Sequence, residues 1–382
     1  MSFKKLFSAI CISSICTLHY AYSQVFYAGE KPATAHASVS KEKIELHNNI
    51  FSAAWVLHKN KIASASLTDA QLKRQMHFDG KNLFSIVLQN GRTISSDEFD
   101  LTDSFKMVDL AGNSHSVRLS ERLNGKAIQV DFINPEYKIR LKWTATLRDS
   151  CNYVEQNFAF SSAGKNIVQK IVLIQLPLNK ETYVCGDVEG SPLIYRNMFF
   201  ALEHPLSKAD TSNGLIRSFL NEGKTIDATQ SACAATAWGV TPEGQLRRGF
   251  LYYVEHERAS PYHQFLHYNS WFDISWSDRK LNDSVCLDRI QLYADSLIVK
   301  RHTPLNAFLF DDGWDNDKTL WGFNKGFPNG FRDLQSLANK YHAQLGVWIS
   351  PWGGYDEAKQ RRLEYGRMQH PPFETNQNGF SL

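Results

Sequence analysis

Between about residues 25 and 257, apolar and polar side chains mostly alternate along the chain. The clearest case is the segment 139–147, in which every second side chain is apolar and the others are Arg, Lys or Thr. A period of two places one face of a β-strand on a core and the other in water. Asn90-Gly91 and Asn124-Gly125 each separate two such runs, and this dipeptide suits a type I′ hairpin turn. The pattern predicts an antiparallel β-sandwich over residues 24–260.

After Pro261 the pattern changes to short, continuous apolar runs that alternate with segments of helical period. We expect strands at 265–272, 307–310 and 347–349, and helices on the stripes Leu287, Ile290, Ala294, Leu297 and Phe331, Leu334, Leu337, Tyr341, and at 356–368. Continuous apolar strands that alternate with helices indicate parallel βα units. Residues 261–382 number 122, whereas a (β/α)8 TIM-type barrel takes about 250. The sequence therefore predicts an incomplete barrel of about three βα units.

Residues 1–23 have the pattern of a secretory signal peptide. Lys4 and Lys5 precede an apolar run over residues 6–17, and Ala21 and Ser23 are small residues where a signal peptidase cuts. A buried N-terminal helix is the alternative. The run is too short to span a bilayer, and no later stretch reaches about 18 apolar residues. We expect a secreted or periplasmic protein, cleaved near Ser23 and not held in a membrane.

The composition narrows the classes of function. Hydrophobic residues make up 43% and charged residues 21%, which are values of a globular protein. The net charge of +3 is too small for nucleic-acid binding. Aromatic residues are frequent at 13%, and six of the nine tryptophans lie between Trp271 and Trp352. A flat, partly apolar ligand would suit such a segment. The sequence does not indicate an oligomeric state.

The cysteines and histidines do not form a metal motif. Without residues 1–23 four cysteines remain, none in a Cys-x-x-Cys pair and with three possible pairings: Cys151, Cys185, Cys233 and Cys286. The sequence is compatible with buried free thiols and with one incidental disulfide. His263 and His267 have a helical spacing of four but lie in a β-rich run, where this spacing loses its meaning. We expect no metal and no cofactor.

Polar and aromatic residues follow each of the three predicted parallel strands. They are Trp271 and Asp273, then Asp311, Asp312 and Trp314, then Trp348 and Trp352. The carboxyl ends of the strands are where α/β barrels hold their active sites. A Trp ring can stack on the C–H face of a sugar while carboxylates accept its hydroxyls. Packing in a core is the alternative, equally suited to Trp348 and less suited to Trp314 and Trp352, which lie beyond strand ends.

Asp311 and Asp312 by themselves would be a turn signal, but a buried strand precedes them and places both on the barrel rim. Adjacent strand residues point to opposite faces. The pair is therefore poorly suited to flank one glycosidic bond as nucleophile and acid, whose carboxyl groups lie about 5 Å apart. Recognition of hydroxyl groups suits the two aspartates better.

Three segments resemble the melibiase-type retaining α-galactosidases, which carry an N-terminal β-sandwich before a catalytic barrel. They are Asp311-Asp312-Gly313-Trp314, Gly326-Phe327-Pro328-Asn329-Gly330-Phe331 and Leu345-Gly346-Val347-Trp348-Ile349-Ser350-Pro351. The resemblance implies that Asp311 and Asp312 bind galactose hydroxyls and that Trp314 walls the pocket. Asn269-Ser270-Trp271 is similar to the end of the family's first strand. The ligand implied is an oligosaccharide or polysaccharide.

The chain departs from this family at two points. Ser350-Pro351-Trp352-Gly353-Gly354 stands where family members often have a Glu-Pro segment. This difference leaves the identity of the bound sugar open. The family's nucleophile and acid/base follow its fourth and sixth strands, beyond Leu382, so no catalytic residue is assigned. We expect an exported, retaining α-galactosidase-like glycosidase, truncated after its third barrel unit. A non-catalytic carbohydrate-binding or remnant protein is the alternative.

Overall fold

The computed structural model describes residues 25–102, 105–260, 262–276, 279–376 and 378–380. The predicted signal peptide lies outside these residues. The chain divides after Tyr262 into two compact units, the N-terminal unit and the C-terminal unit. In the described part of the chain, no helix is long and apolar enough to cross a membrane.

The N-terminal unit consists of antiparallel strands and one helix. In chain order they are β1 (His36–Val39), β2 (Lys43–His47), β3 (Phe51–His58), β4 (Lys61–Asp69), β5 (Arg74–Asp79), β6 (Ser85–Leu88), β7 (Thr93–Ser95), β8 (Asp100–Leu101), β9 (Lys106–Leu110), β10 (Gly125–Asn134), β11 (Ile139–Arg148), β12 (Tyr153–Ser162), β13 (Asn166–Pro177), β14 (Thr182–Val184), β15 (Leu193–Tyr195), β16 (Met198–Leu202), β17 (Lys208–Ser212), β18 (Leu215–Ile226), β19 (Ala232–Val240) and α1 (Leu246–Glu257). Single 3₁₀ turns cover Gly80–Asn82, Ser96–Glu98 and Ser120–Arg122.

These strands form three sheets. Their orders are β1-β2-β3-β4-β5, β17-β18-β13-β6-β7 and β14-β15-β16-β19-β12-β11-β10-β8, with β9 also paired to β10. The predicted antiparallel arrangement is confirmed. The alternation in β11 shows its physical basis, because Ile139, Leu141 and Trp143 are buried while the residues between them face outward. Such faces from all three sheets pack into one apolar core.

One of the two predicted hairpin turns is present. Asn90-Gly91 joins β6 to β7, with a positive φ of 83° at Gly91 alone, so the turn is not of type I′. The prediction at Asn124-Gly125 is wrong, because Gly125 is the first residue of β10 and pairs with both Leu110 and Arg148. All four cysteines are free, with Cys151 and Cys286 buried, and this excludes the disulfide alternative within the described residues.

The C-terminal unit alternates strands and helices. Its elements are β20 (His267–Asn269), α2 (Asp283–Tyr293), β21 (Ala307–Phe310), β22 (Asp315–Asn316), β23 (Gly322–Phe323), α3 (Arg332–Lys340), β24 (Gln344–Val347), α4 (Asp356–Arg367), β25 (Thr375–Asn376) and β26 (Gly379–Phe380). A 3₁₀ turn at Ser270–Phe272 follows β20, and α2 continues into a π-helical segment, Ala294–Val299. Strands β20, β21 and β24 form a parallel sheet in this order, as predicted, whereas β22–β23 and β25–β26 are small hairpins.

Helices α2 and α3 pack against one face of the parallel sheet. Phe308 and Phe310 are fully buried and pack with residues of α2 and α3, among them Ile290 and Leu334. Two boundaries differ from the predicted ones: β20 is only three residues long, and β24 ends before Trp348. The cap of α2 is Asn282, whereas the sequence predicts a cap at Asp283 or Ser284; the Oδ1 of Asn282 accepts the N–H of Val285. Closure of this sheet as part of a barrel stays a prediction.

Candidate functional site

The carboxyl ends of β20 and β21 are joined by a buried serine. Ser270, directly after β20, accepts the backbone N–H of Asp311 on its Oγ at 2.8 Å. The same Oγ lies 2.7 Å from the Oγ of Ser275. Because Asp311 directly follows β21, this hydrogen bond fixes the position of its backbone, from which the two predicted site aspartates extend.

Asp311 and Asp312 are held by different partners. The N–H of Asp312 donates to Oδ1 of Asp311 at 2.8 Å, which orients the first carboxylate by its own backbone. Oδ2 of Asp312 lies 3.4 Å from Nη1 of Arg279. Both aspartates are only partly buried, and both keep oxygen lone pairs that can accept further hydrogen bonds.

The turn between these aspartates and Trp314 requires glycine. Gly313 has a φ of 111°, and a Cβ at this position would lie 2.3 Å from the backbone oxygen of Arg279. Its own carbonyl accepts the side-chain amide of Asn324 at 2.8 Å. The Asp-Asp-Gly-Trp segment is therefore held tightly on both sides, which limits the directions in which its carboxylates can point.

Trp314 lies mostly in the core. Only 5% of its surface is exposed, and its ring packs near Phe323 and Phe331 at centroid distances of 5.5 and 5.6 Å. Its indole N–H donates to the backbone oxygen of Trp348 at 3.0 Å. Trp314 therefore joins the ends of β21 and β24, and little of its surface is left to wall a pocket.

Trp348 directly follows β24 and is partly exposed. Its backbone N–H donates to the oxygen of Phe310 at 3.0 Å. Its ring meets Trp321 edge to face, with centroids 5.9 Å apart, and lies beside Tyr355 at the same separation but nearly parallel. Trp352, four residues further, is 44% exposed. The third strand end thus presents more aromatic surface than the second.

Trp271 belongs to a second aromatic group, at the end of β20. Its ring packs edge to face against Trp276 at 5.4 Å, and the guanidinium carbon of Arg279 lies 5.4 Å from its centroid. Since Arg279 also pairs with Asp312, it connects Trp271 with the aspartates. Asp273 does not join them: its Oδ2 accepts the hydroxyl of Tyr268 and pairs with Arg289.

The structure thus brings Trp271 together with Asp312 through Arg279, and Trp314 together with Trp348. Sequence patterns did not single out Arg279, Trp321 or Tyr355. Trp321 was visible only as one of six clustered tryptophans, and the contact of Arg279 with Asp312 joins residues far apart in the chain, which no local period reveals. Among the described residues, no group of three or more His, Cys, Asp or Glu side chains could hold a metal ion.

Comparison with known proteins gives a likeness of fold. No protein-family model matches the sequence, and no curated protein matches it. Among solved structures, a glycoside hydrolase family 36 α-galactosidase of Geobacillus stearothermophilus has a TM-score of 0.55 at 12% identity, covering 81% of this chain and 56% of that one. The α-galactosidase of Lactobacillus brevis also gives 0.55 at 12% identity, with 81% and 55% covered.

A third solved structure is the galactosidase domain of an α-galactosidase–sucrose kinase, with a TM-score of 0.57 at 11% identity, covering 83% of this chain and 57% of that domain. The chain spans little more than half the length of these structures. The predicted resemblance to α-galactosidases is therefore confirmed for the fold, which is glycoside hydrolase-like. The likeness also supports a β-sandwich followed by a barrel region.

Proposed function

We propose that this chain is the sandwich and first barrel part of an exported, retaining α-galactosidase-like glycoside hydrolase. Its candidate site, at the carboxyl ends of β20, β21 and β24, would bind the galactosyl group of an oligosaccharide or polysaccharide. The observation that carries the proposal is the placement of Asp311 and Asp312 on this shared edge, directly after a strand in which Phe308 and Phe310 are fully buried.

The two aspartates suit hydroxyl recognition. A carboxylate that accepts a sugar hydroxyl forms a charge-assisted hydrogen bond, which is stronger than a bond between neutral groups. Arg279 pairs with Asp312 at 3.4 Å and thereby limits the directions in which that carboxylate can point. Trp348 and Trp352 offer partly exposed rings at the next strand end, where the apolar face of a pyranose can stack.

The solved relatives suggest the class of ligand. Structures of the Geobacillus stearothermophilus enzyme contain raffinose in one case and stachyose in another, with TM-scores of 0.53 and 0.55 to this chain. Both sugars end in an α-linked galactosyl group. We extend this ligand class to the chain, and the position of Asp311 and Asp312 directly after β21 supports the extension.

Hydrolysis would proceed by double displacement through a covalent glycosyl intermediate, which needs two carboxyl groups about 5 Å apart on either side of the bond. Asp311 and Asp312 are neighbours in one tight turn, and the N–H of one donates to the other. Neither is assigned as nucleophile or acid/base. We therefore expect the 382-residue chain by itself not to hydrolyse a nitrophenyl α-galactoside, and measured turnover by the purified chain would contradict this assignment.

Binding tests the proposed site directly. Raffinose is titrated into the 382-residue chain and its Asp312→Asn variant, with Asp333→Asn as the matched control, since Asp333 lies on α3 and is half exposed. Losing one charge-assisted bond of about 1.5 to 3 kcal/mol should weaken binding at least about tenfold in Asp312→Asn. Equal affinity in all three proteins would show that Asp312 is a turn residue and does not bind the sugar.

Export has its own test. The charged start, short apolar run and small residues at Ala21 and Ser23 motivate cleavage near Ser23. Mass spectrometry of the protein from its native host should find a mature N-terminus close to this position. An intact Met1 in the mature product would contradict export by this route.

A non-catalytic carbohydrate-binding protein is the second candidate, favoured by the aromatic surface around Trp348 and by the absence of an assigned catalytic pair in the described residues. The two candidates differ in one measurement. Protein isolated from the native host should hydrolyse an α-galactoside if it is an enzyme, and should bind the sugar without turnover if it is a binding protein.

A further inference from the structure

The C-terminal unit contains an ion pair that is almost completely buried. The side chains of Asp315 and Arg362 are 3% and 2% exposed. Nη2 of Arg362 lies 3.0 and 2.8 Å from the two carboxylate oxygens of Asp315, and its Nε lies 3.2 Å from one of them. Nη1 donates to the backbone oxygen of Gly353 at 3.0 Å. The pair joins β22, the turn after β24 and helix α4.

Stability alone explains this pair poorly. Burial raises the pKa of Asp315, the charge of Asp312 adds to the rise, and the hydrogen bonds and charge of Arg362 oppose it. Apolar residues of similar volume often stabilise a core as well as a buried ion pair does. What an apolar pair cannot reproduce is the planar guanidinium, which binds a carboxylate, a carbonyl and a ring in fixed directions.

The ring bound by this guanidinium is Trp321. The Cζ of Arg362 lies 4.1 Å from the Trp321 centroid, within the range of a cation–π contact. Trp321 has a φ of 59°, a left-handed conformation that bulky residues rarely adopt. Such a conformation persists only where surrounding contacts impose it. The contact with Arg362 is therefore one of those that hold Trp321 in place.

Trp321 in turn contacts the candidate site. Its ring lies nearly parallel to Trp314 at 6.4 Å and nearly perpendicular to Trp348 at 5.9 Å. The loop after β24 is shaped around the same guanidinium: Gly354 has a φ of 95°, and a Cβ there would lie 2.6 Å from Nη1 of Arg362. One buried group thus contacts both the loop that follows Trp348 and the ring against which Trp348 packs.

We propose that Arg362, held by Asp315, is a positioning residue that fixes Trp321 and through it sets the tilt of the Trp348 ring. The tilt decides whether the C–H face of a pyranose can stack on Trp348 while its hydroxyls reach Asp311 and Asp312. The stacking role of Trp348 rests on the proposed function, whereas the control of its orientation does not. Neither Trp321 nor Arg362 is assigned a contact with the sugar.

The neighbouring residue provides a matched control. Arg361 lies one position earlier on α4 and binds two carboxylates, with its Nε 2.9 Å from Asp317 and its Nη1 3.1 Å from Glu357. Its side chain is 39% exposed. Arg361→Lys and Arg362→Lys therefore make the same chemical change on the same helix, but only the second removes a planar group from Trp321.

The test uses the 382-residue chain labelled with 5-fluorotryptophan, so that each of the nine tryptophans gives one ¹⁹F NMR signal. The signals of Trp321 and Trp348 are assigned by their loss in Trp321→Phe and Trp348→Phe. Arg362→Lys should shift both signals by more than their linewidths and leave those of Trp55, Trp143 and Trp238 in place. Raffinose affinity should fall about threefold or more, the lower end of coupling between contacting side chains. Arg361→Lys should change neither signals nor affinity.

Trp321→Phe covers the case in which Arg362→Lys unfolds the C-terminal unit, because it leaves the ion pair intact. Like Arg362→Lys, Trp321→Phe should shift the Trp348 signal and weaken the binding of raffinose. An unmoved Trp348 signal in a folded Arg362→Lys protein, or in Trp321→Phe, would overturn the positioning role. If the unaltered chain binds no raffinose, the proposed function fails, while the ¹⁹F signals still decide whether Arg362 orients Trp348.

Discussion

The two units of this chain use tryptophan differently. In the N-terminal unit, Trp55, Trp143 and Trp238 lie on β3, β11 and β19 and are at most 2% exposed. In the C-terminal unit, Trp276 and Trp352 lie outside the strands and are 66% and 44% exposed. Position relative to the strands, rather than residue type, therefore separates core rings from rings that can meet a ligand. Trp314 is the exception, because its indole N–H joins two strand ends from within the core.

The largest expected effect separates these two classes of tryptophan. Trp143→Ala should lower the free energy of unfolding of the N-terminal unit by about 3 to 5 kcal/mol, because it leaves a cavity between packed sheets. Trp352→Ala should change the stability of the C-terminal unit by about 0.5 kcal/mol or less, as exposed positions do. Urea denaturation monitored by circular dichroism measures both. Similar losses in the two variants would show that Trp352 is a core residue.

Hydrogen exchange tests whether the two kinds of sheet differ in stability. Strand β11 lies between two partners and buries every second side chain, whereas β24 pairs only with β21 among the described residues and none of its side chains is fully buried. Amides of β24 should exchange at least about a hundredfold faster, a difference of about 2.7 kcal/mol in opening free energy. Limited proteolysis should then cut first after about Tyr262. Equal protection of both strands would contradict this difference.

The same contrast explains how much the sequence predicted. Alternation in segments such as 139–147 identified antiparallel strands, because one buried face leaves a period of two. Continuous apolar runs such as Ala307–Phe310 identified parallel strands between helices. The turn at Asn124-Gly125 was wrong because the pairing of Gly125 with two distant strands overrides a local turn preference. At the site, Asp311 and Asp312 followed from a strand end, whereas Arg279 and Arg362 act through contacts distant in sequence.

A change of pH should act on the N-terminal unit. Burial, together with the charges of Glu155 and Glu257, raises the pKa of Glu203 to about 7, and the hydroxyl of Tyr253 donates to it at 2.5 Å. Because folding raises this pKa, protonated Glu203 stabilises the folded state. This contribution to the free energy of unfolding is complete below the ordinary pKa of glutamate and is lost as pH rises through about 7.

Between pH 5 and pH 8 the N-terminal unit should therefore lose stability, on the order of 2 kcal/mol from this group. The Glu203→Gln variant, which stays neutral, should lose less over the same interval. Thermal unfolding at several pH values measures the two slopes. Identical slopes in the two proteins would show that Glu203 is not responsible.

The smallest effect concerns the start of α2 in the C-terminal unit. The Oδ1 of Asn282 accepts the N–H of Val285 at 3.1 Å and caps the helix. Asn282→Ala should lower the stability of this unit by about 1 kcal/mol. Asn339→Ala, in the last turn of α3, is the control, since alanine is a better helix former than asparagine. Equal effects of the two changes, measured by urea denaturation, would show that Asn282 does not stabilise the start of α2.

We have proposed that the ends of the parallel strands recognise a galactosyl group. Raffinose and sucrose form a matched pair, because sucrose is raffinose without its α-galactosyl unit. Isothermal titration calorimetry of the 382-residue chain with both sugars tests the claim most directly. We predict that raffinose binds at least about tenfold more tightly than sucrose, since only raffinose offers galactose hydroxyls to Asp311 and Asp312. Equal affinity for the two sugars, or no binding of raffinose, would contradict it.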